Sequence, residues 1–140
     1  QISFDDIAFQ YKKSTVRTQN KVQLTVDKKQ LTVNGQTMEL DQAPVITEGN
    51  TLVPVRFVVD AMGGQLTWVD EERKVIIVKD GHLVELWLDQ TGLIADGVAV
   101  TAEVPPILMN ERTMVPLRVI SEKMGWKVTW DEATRGITLE

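Results

Sequence analysis

One stretch of this chain occurs twice, and that repetition limits what the chain can fold into more tightly than any other feature. Thr51-Leu-Val-Pro-Val-Arg-Phe-Val-Val-Asp-Ala-Met-Gly63 aligns without a gap on Thr113-Met-Val-Pro-Leu-Arg-Val-Ile-Ser-Glu-Lys-Met-Gly125, an offset of 62 residues (Thr51 to Thr113). The register holds in both directions. It pairs Thr67-Trp68 with Thr129-Trp130, Arg73 with Arg135, Val22 with Val84, Asp27 with Asp89, Leu31 with Leu93, Gly35 with Gly97 and Pro44 with Pro106. We therefore divide the chain into an N-terminal extension, residues 1–20, and two units, residues 21–80 and 81–140. A unit of about 60 residues is marginal by itself, so the two are expected to pack together or exchange strands, even to the point of one compact domain.

Within a unit the local signals agree. Leu31–Leu40 reads as a hairpin, because Asn34-Gly35 supplies the two positive-φ residues of a tight turn between alternating runs; Asp96-Gly97 does the same in the second unit. Val55, Val58, Val59 and Met62 fall at helical spacing, and Leu117, Ile120 and Met124 repeat the stripe. Pro54 and Pro116 suit the helix starts, and Gly63 and Gly125 the left-handed caps that end them. Two short strands follow each helix: Gln65–Trp68 with Lys74–Val78, and Lys127–Trp130 with Gly136–Leu139. Each unit thus reads strand, hairpin, strand, helix, strand, strand. A short helix has to bury its stripe on a sheet, so the fold class is α+β, each repeat a curled antiparallel sheet of about five strands around one short helix.

Composition narrows the partners. The net charge is −5, and no basic run is longer than Lys12-Lys13 or Lys28-Lys29, which leaves no electrostatic footprint for nucleic acid. No apolar run approaches the ~20 residues a membrane helix needs, so membrane insertion is not expected. Gln1-Ile-Ser-Phe-Asp-Asp6 lacks the regions of a signal peptide, so any export signal is expected to have been removed. With no cysteine, thiol catalysis, zinc–thiolate sites and disulfides are excluded.

Asn34-Gly35, Pro44, Val53-Pro54, Arg56, Met62-Gly63 and Trp68 recur as Gly97, Pro106, Val115-Pro116, Arg118, Met124-Gly125 and Trp130. This pattern resembles the copper amine oxidase N-terminal, or stalk, domain family, in tandem copies over residues 21–140. The resemblance implies a five-stranded antiparallel sheet curled around one helix, and a non-catalytic module found in exported proteins of Gram-positive bacteria beside enzyme or wall-binding domains. It does not transfer copper, whose site lies in a different domain of the oxidases.

The residues for chemistry are sparse. His82 is the only histidine and Tyr11 the only tyrosine, too few for a copper site with a modified tyrosine. Asp27 and Asp89 lack the spacing of a calcium loop. Asp70-Glu71-Glu72 and Asp131-Glu132 are the candidate carboxylates for a hydrolase, but they fall in turns, where acidic residues are solvated. Ser3, Ser14 or Ser121 with His82 lacks a nucleophile elbow. No catalytic, cofactor or metal residue is expected.

Arg56 and Arg118 stand four residues before Asp60 and Glu122, one face of each helix, which points to ion pairs within the helix; anion binding is the rival reading. Trp68 and Trp130, being repeated, are read as packing residues. Trp87 and Trp126 occur once each and are the candidates for an exposed, ligand-stacking surface. The expected function is a non-catalytic binding or spacer module, secreted or in the cell envelope, touching a wall polymer, a polysaccharide or a protein partner, with a homodimer left open. The alternative is an accessory domain of a larger exported enzyme such as a hydrolase.

Overall fold

Short alternating runs separated by positive-φ turns give a chain of small antiparallel ladders. The computed structural model describes residues 20–140; the extension, with its alternation of Ile2, Phe4, Ile7, Phe9 and Tyr11, lies outside them but for Asn20. The first half runs β1 (Val22–Thr25), β2 (Gln30–Val33), β3 (Gln36–Glu39), β4 (Val45–Thr47), β5 (Asn50–Pro54), α1 (Val55–Met62), β6 (Gln65–Val69) and β7 (Lys74–Lys79). The second runs β8 (His82–Trp87), β9 (Gly92–Ala95), β10 (Val98–Thr101), β11 (Ile107–Met109), β12 (Arg112–Pro116), α2 (Leu117–Met124), β13 (Val128–Asp131) and β14 (Gly136–Leu139).

The turns and caps form where the side chains allow them. Asn34 and Gly35 both have positive φ, as do Asp96 and Gly97, and the side-chain oxygen of the Asn or Asp also accepts a backbone N–H from the neighbouring chain segment, that of Lys21 just before β1 at 2.9 Å and that of Leu83 in β8 at 2.8 Å. Both helices start after a proline and end at a glycine in the left-handed region. The segment before each helix departs from the expected single strand. It is a hairpin, β4–β5 and β11–β12, because three-residue strands are too short to declare an alternation.

The sheets do not follow the boundary between residues 80 and 81. One five-stranded sheet has the order β13-β14-β1-β2-β3, the other β10-β9-β8-β7-β6, and a four-stranded sheet, β11-β12-β5-β4, joins the halves. Each five-stranded sheet takes three strands from one half and two from the other, so the halves exchange strands, one of the two arrangements expected of them, and the five strands of a sheet are not all drawn from one unit. The ladders that cross the boundary are equivalent. β1 meets β14 with Val22 opposite Leu139, and β8 meets β7 with Val84 opposite Ile77, positions related by the same 62 residues. β5 and β12 cross at Val53 opposite Val115, flanked by Leu52 opposite Pro116 and Pro54 opposite Met114. Arg73 pairs with Asp89 at 3.3 Å, and Arg135 with Asp27 at 3.3 Å.

The result is an α+β protein of curled antiparallel sheets with two helices. Its principal core runs through both halves, from Val22, Leu24 and Leu31 through Val58 and Val59 of α1 to Val84, Leu86, Ile120 and Leu139. Each such fully buried aliphatic side chain contributes about 1.5–3 kcal/mol. No helix among the described residues is long and apolar enough to cross a membrane.

Candidate functional site

The strand exchange leaves two grooves, one on each half, built from equivalent elements. Each lies between the first turn of a helix, the edge strand that follows it and the short hairpin of the opposite half. In the first groove, of about 450 Å³, Val55 and Arg56 of α1 and Leu66 and Trp68 of β6 face Leu108, Glu111, Arg112 and Thr113. In the second, of about 700 Å³, Leu117 and Arg118 of α2 and Val128 and Trp130 of β13 face Ile46, Gly49, Asn50 and Thr51. Every residue of the second set stands 62 positions from its counterpart in the first.

Trp68 and Trp130 are not the packing residues their repetition suggested. They are 36% and 39% exposed, because β6 and β13 are edge strands whose outer faces have no covering layer. Ile46 and Leu108, on the opposite wall of each groove, are among the exposed large aliphatic residues. An aromatic ring beside an aliphatic side chain and a guanidinium offers a stacking face with polar groups at its edge.

Trp126 also departs from expectation. Trp126 is 6% exposed, its ring part of the principal core, so the expected exposure is corrected. The physical reason lies five residues earlier: Ser121 stands where the first half has Val59, and Trp126 where it has Gly64. A smaller side chain on the helix admits the indole. Trp87 is half-buried, with the Lys74 ammonium 5.4 Å from the ring centre. Lys74 also bonds Glu85 at 3.1 Å, which with Glu72 at 3.4 Å raises its pKa above the usual lysine value.

The two grooves differ in their polar groups. In the first, Arg112 pairs with Asp41 across the rim, and the Trp68 indole N–H donates to Asp70 Oδ1 at 3.1 Å. At the equivalent rim of the second, Asn50 Nδ2 donates to Glu103 Oε1 at 3.1 Å. The second groove alone is lined by Ser121, Trp126, Glu122 and Glu132. Among the described residues, Ser121 Oγ and Trp126 Nε1 are the buried side-chain polar atoms without a hydrogen-bond partner. Arg56 and Arg118 form no ion pair among the described residues, so the expected pairs with Asp60 and Glu122 do not form and both guanidiniums stay exposed on the groove walls.

The remaining candidates are accounted for locally. Pro54, Pro116, Gly63 and Gly125 bound the helices. His82 Nδ1 lies 2.9 Å from Asp96, whose pKa is lowered by that contact and by the Leu83 N–H. Asp27 and Asp89 adopt positive φ beside their arginines. Among the described residues no three His, Asp or Glu side chains converge as metal ligands, so the donor set does not fit copper. Glu122 and Glu132 share the second groove, and both are exposed.

A family model described as the copper amine oxidase N-terminal domain matches the chain twice, over residues 6–77 and residues 32–139. The matches overlap, as the interleaving of the two halves leads one to expect of a tandem, stalk-like chain. No curated protein matches.

Proposed function

Because this chain belongs to the copper amine oxidase N-terminal domain family, whose domains are non-catalytic accessory parts, we propose that it is a binding or spacer module acting outside the cell, secreted or held in the envelope. In this reading its twin grooves contact a wall polymer or polysaccharide. The observation that carries it is the half-exposed tryptophan at equivalent places in both, Trp68 and Trp130, each beside an arginine without a carboxylate partner among the described residues. Sugar rings stack on such faces, and their hydroxyls bond the neighbouring polar groups. In the same reading the chain is two repeats, each a helix under a curled sheet that the other repeat completes.

Co-sedimentation with purified peptidoglycan and insoluble polysaccharides tests the proposal. The wild-type chain is expected in the pellet and the double variant Trp68→Ala, Trp130→Ala in the supernatant. A wild-type chain that stays in solution with every polymer overturns the polymer-binding reading. Release of reducing ends that Glu132→Gln or Glu122→Gln abolishes overturns the non-catalytic one.

The family's description as the N-terminal domain of an enzyme favours a second reading, an accessory domain that positions the catalytic part of a larger exported protein. An open reading frame ending at residue 140, with no catalytic domain before residue 1, would sink it.

A further inference from the structure

The two five-stranded sheets are equivalent in position, yet their reverse faces, the sides turned from the core, are opposite in character. Directly paired residues share a face of a sheet. In β10-β9-β8-β7-β6 the core side carries Val75, Ile77, Val84 and Leu86, so Ile76, Val78, Leu83, Trp87, Ile94 and Val69 lie on the reverse face. The residues 62 positions away, on or beside the reverse face of β13-β14-β1-β2-β3, are Thr138, Glu140, Lys21, Thr25, Thr32 and Asp131, every one polar. There Thr32 Oγ1 and Thr37 Oγ1 lie 3.4 Å apart across two strands. The same fold thus forms with polar residues at these places, as suits a sheet face in water, and does not require the apolar set. Val78 and Leu83 are 38% and 40% exposed, and the other four are half-buried.

A contiguous apolar face left open to water marks a contact surface. Five strands about 4.8 Å apart and about six residues long make a face of about 20 Å by about 20 Å, about 400 Å² in projection. A standard interface takes about 800 Å² from each partner, so this face suits a weak, concentration-dependent association and not an obligate one. Its charges suit a second copy. Lys74 Nζ bonds Glu85 Oε2 at 3.1 Å and lies 5.4 Å from the Trp87 ring centre, and the two charged side chains are only 14% and 24% exposed, so little of their desolvation remains to be met. In an isologous contact a face meets itself turned by half a rotation, and one cation beside one anion is complementary to its own rotated image. The first sheet has Gly136 and Gln23 at those two places and carries no such pair.

We infer that the reverse face of β6 to β10 is the docking surface for a second copy of this chain, the two sheets stacking about 10 Å apart as the layers of a sandwich. Ile76, Ile94 and Leu83 of each copy then leave water together, and Lys74 of each lies toward the other copy's Glu85. The inference does not rest on the polymer-binding reading, whose grooves are lined by other residues.

Sedimentation velocity of the full chain between about 1 μM and about 1 mM tests it. The wild type is expected to pass from monomer to dimer with a dissociation constant on the order of 10–100 μM, and its Trp87 emission to shift to the blue as the dimer forms. The double variant Ile76→Thr, Ile94→Thr carries the residues that fold at positions 138 and 32, and threonine favours a strand as isoleucine does, so it is expected to keep its circular dichroism while its dissociation constant rises at least about tenfold. Leu83→Lys, which copies position 21, is expected to do the same. The double variant Trp68→Ala, Trp130→Ala is expected to dimerise as the wild type does. A wild-type chain that stays monomeric to about 1 mM overturns the inference, and a loss of stability in urea on Ile76→Thr, Ile94→Thr would then assign the face to another segment of the same chain. A dimer that survives both face variants, or one that the groove variant abolishes, overturns it by moving the contact elsewhere.

Discussion

Ser121 and Val59 occupy the same place in two helices, and the hydroxyl at one of them has consequences that a methyl group at the other lacks. A buried hydroxyl without a partner destabilises, and serine is a poorer helix former than alanine. Ser121→Ala is therefore expected to raise the unfolding free energy by about 1 kcal/mol in urea denaturation. A stability loss of that size would mean that the hydroxyl already has a partner. Asp96 carries a second residue-scale expectation. Its pKa is lowered by the hydrogen bond to His82 and by the Leu83 N–H, so its contribution is fully present above its unperturbed 3.8 and is lost as pH falls through the lower folded value. Asn34, its counterpart, keeps the backbone bond without the charge. Asp96→Asn should thus lose less stability than the wild type between about pH 6 and about pH 3, and parallel losses would remove the carboxylate from the explanation. The sequence told which tryptophans repeat, but not which are covered. Repetition marks a position as structurally equivalent, and equivalent positions on edge strands are equally exposed. The burial of Trp126 did have a signal, the small residue five positions before it.

At the scale of elements the sequence was most legible where the physics is local. The helical stripe at Val55, Val58, Val59 and Met62 became the buried face of α1, and the Asn-Gly and Asp-Gly turns formed as their φ preferences require. The hairpins before the helices were missed, since β4 and β11 are three residues long and their pairing is set by the strands beside them. The step from α1 to β6 shows how tightly such joints are filled. A Cβ on Gly64 would lie 3.1 Å from Val59 Cγ1 and 3.2 Å from the Val78 carbonyl oxygen, whereas in the second half the smaller Ser121 leaves space for a whole indole. Gly64→Ala is expected to destabilise by about 1–3 kcal/mol, and Trp126→Ala, which opens a cavity in the shared core, by about 3–5 kcal/mol. A neutral Gly64→Ala in thermal or urea denaturation would show that the joint between helix and strand yields more readily than its contacts suggest.

At the scale of the whole molecule an offset of 62 residues states that two units are alike, and is silent on whether a strand pairs within its unit or with the other. Val22 meets the same kind of neighbour in either arrangement, because Leu139 and Ile77 are equivalent positions with similar side chains. That ambiguity is itself physical and leads to a prediction. Cut at the Asp80-Gly81 turn, residues 20–80 retain α1 and β1 to β7 but lose the partners of β1, β7 and β5. A second copy of the same fragment can supply all three in the observed register: Val22 against the other copy's Ile77, and Val53 against its own counterpart where Val115 now stands. A single fragment of about 60 residues buries too little surface to stand alone, and the exchange joins two cores into one. The fragment is therefore expected to sediment as a folded homodimer, or, mixed with residues 81–140, to prefer the heterodimer, which restores the native packing of Trp126 and Lys74. Val53→Lys, which places two ammonium groups against each other at the crossing of the homodimer, is expected to leave the fragment monomeric and unfolded by circular dichroism. A folded monomer of residues 20–80 would show instead that each half holds enough of a core by itself, and that the exchanged strands contribute little to it.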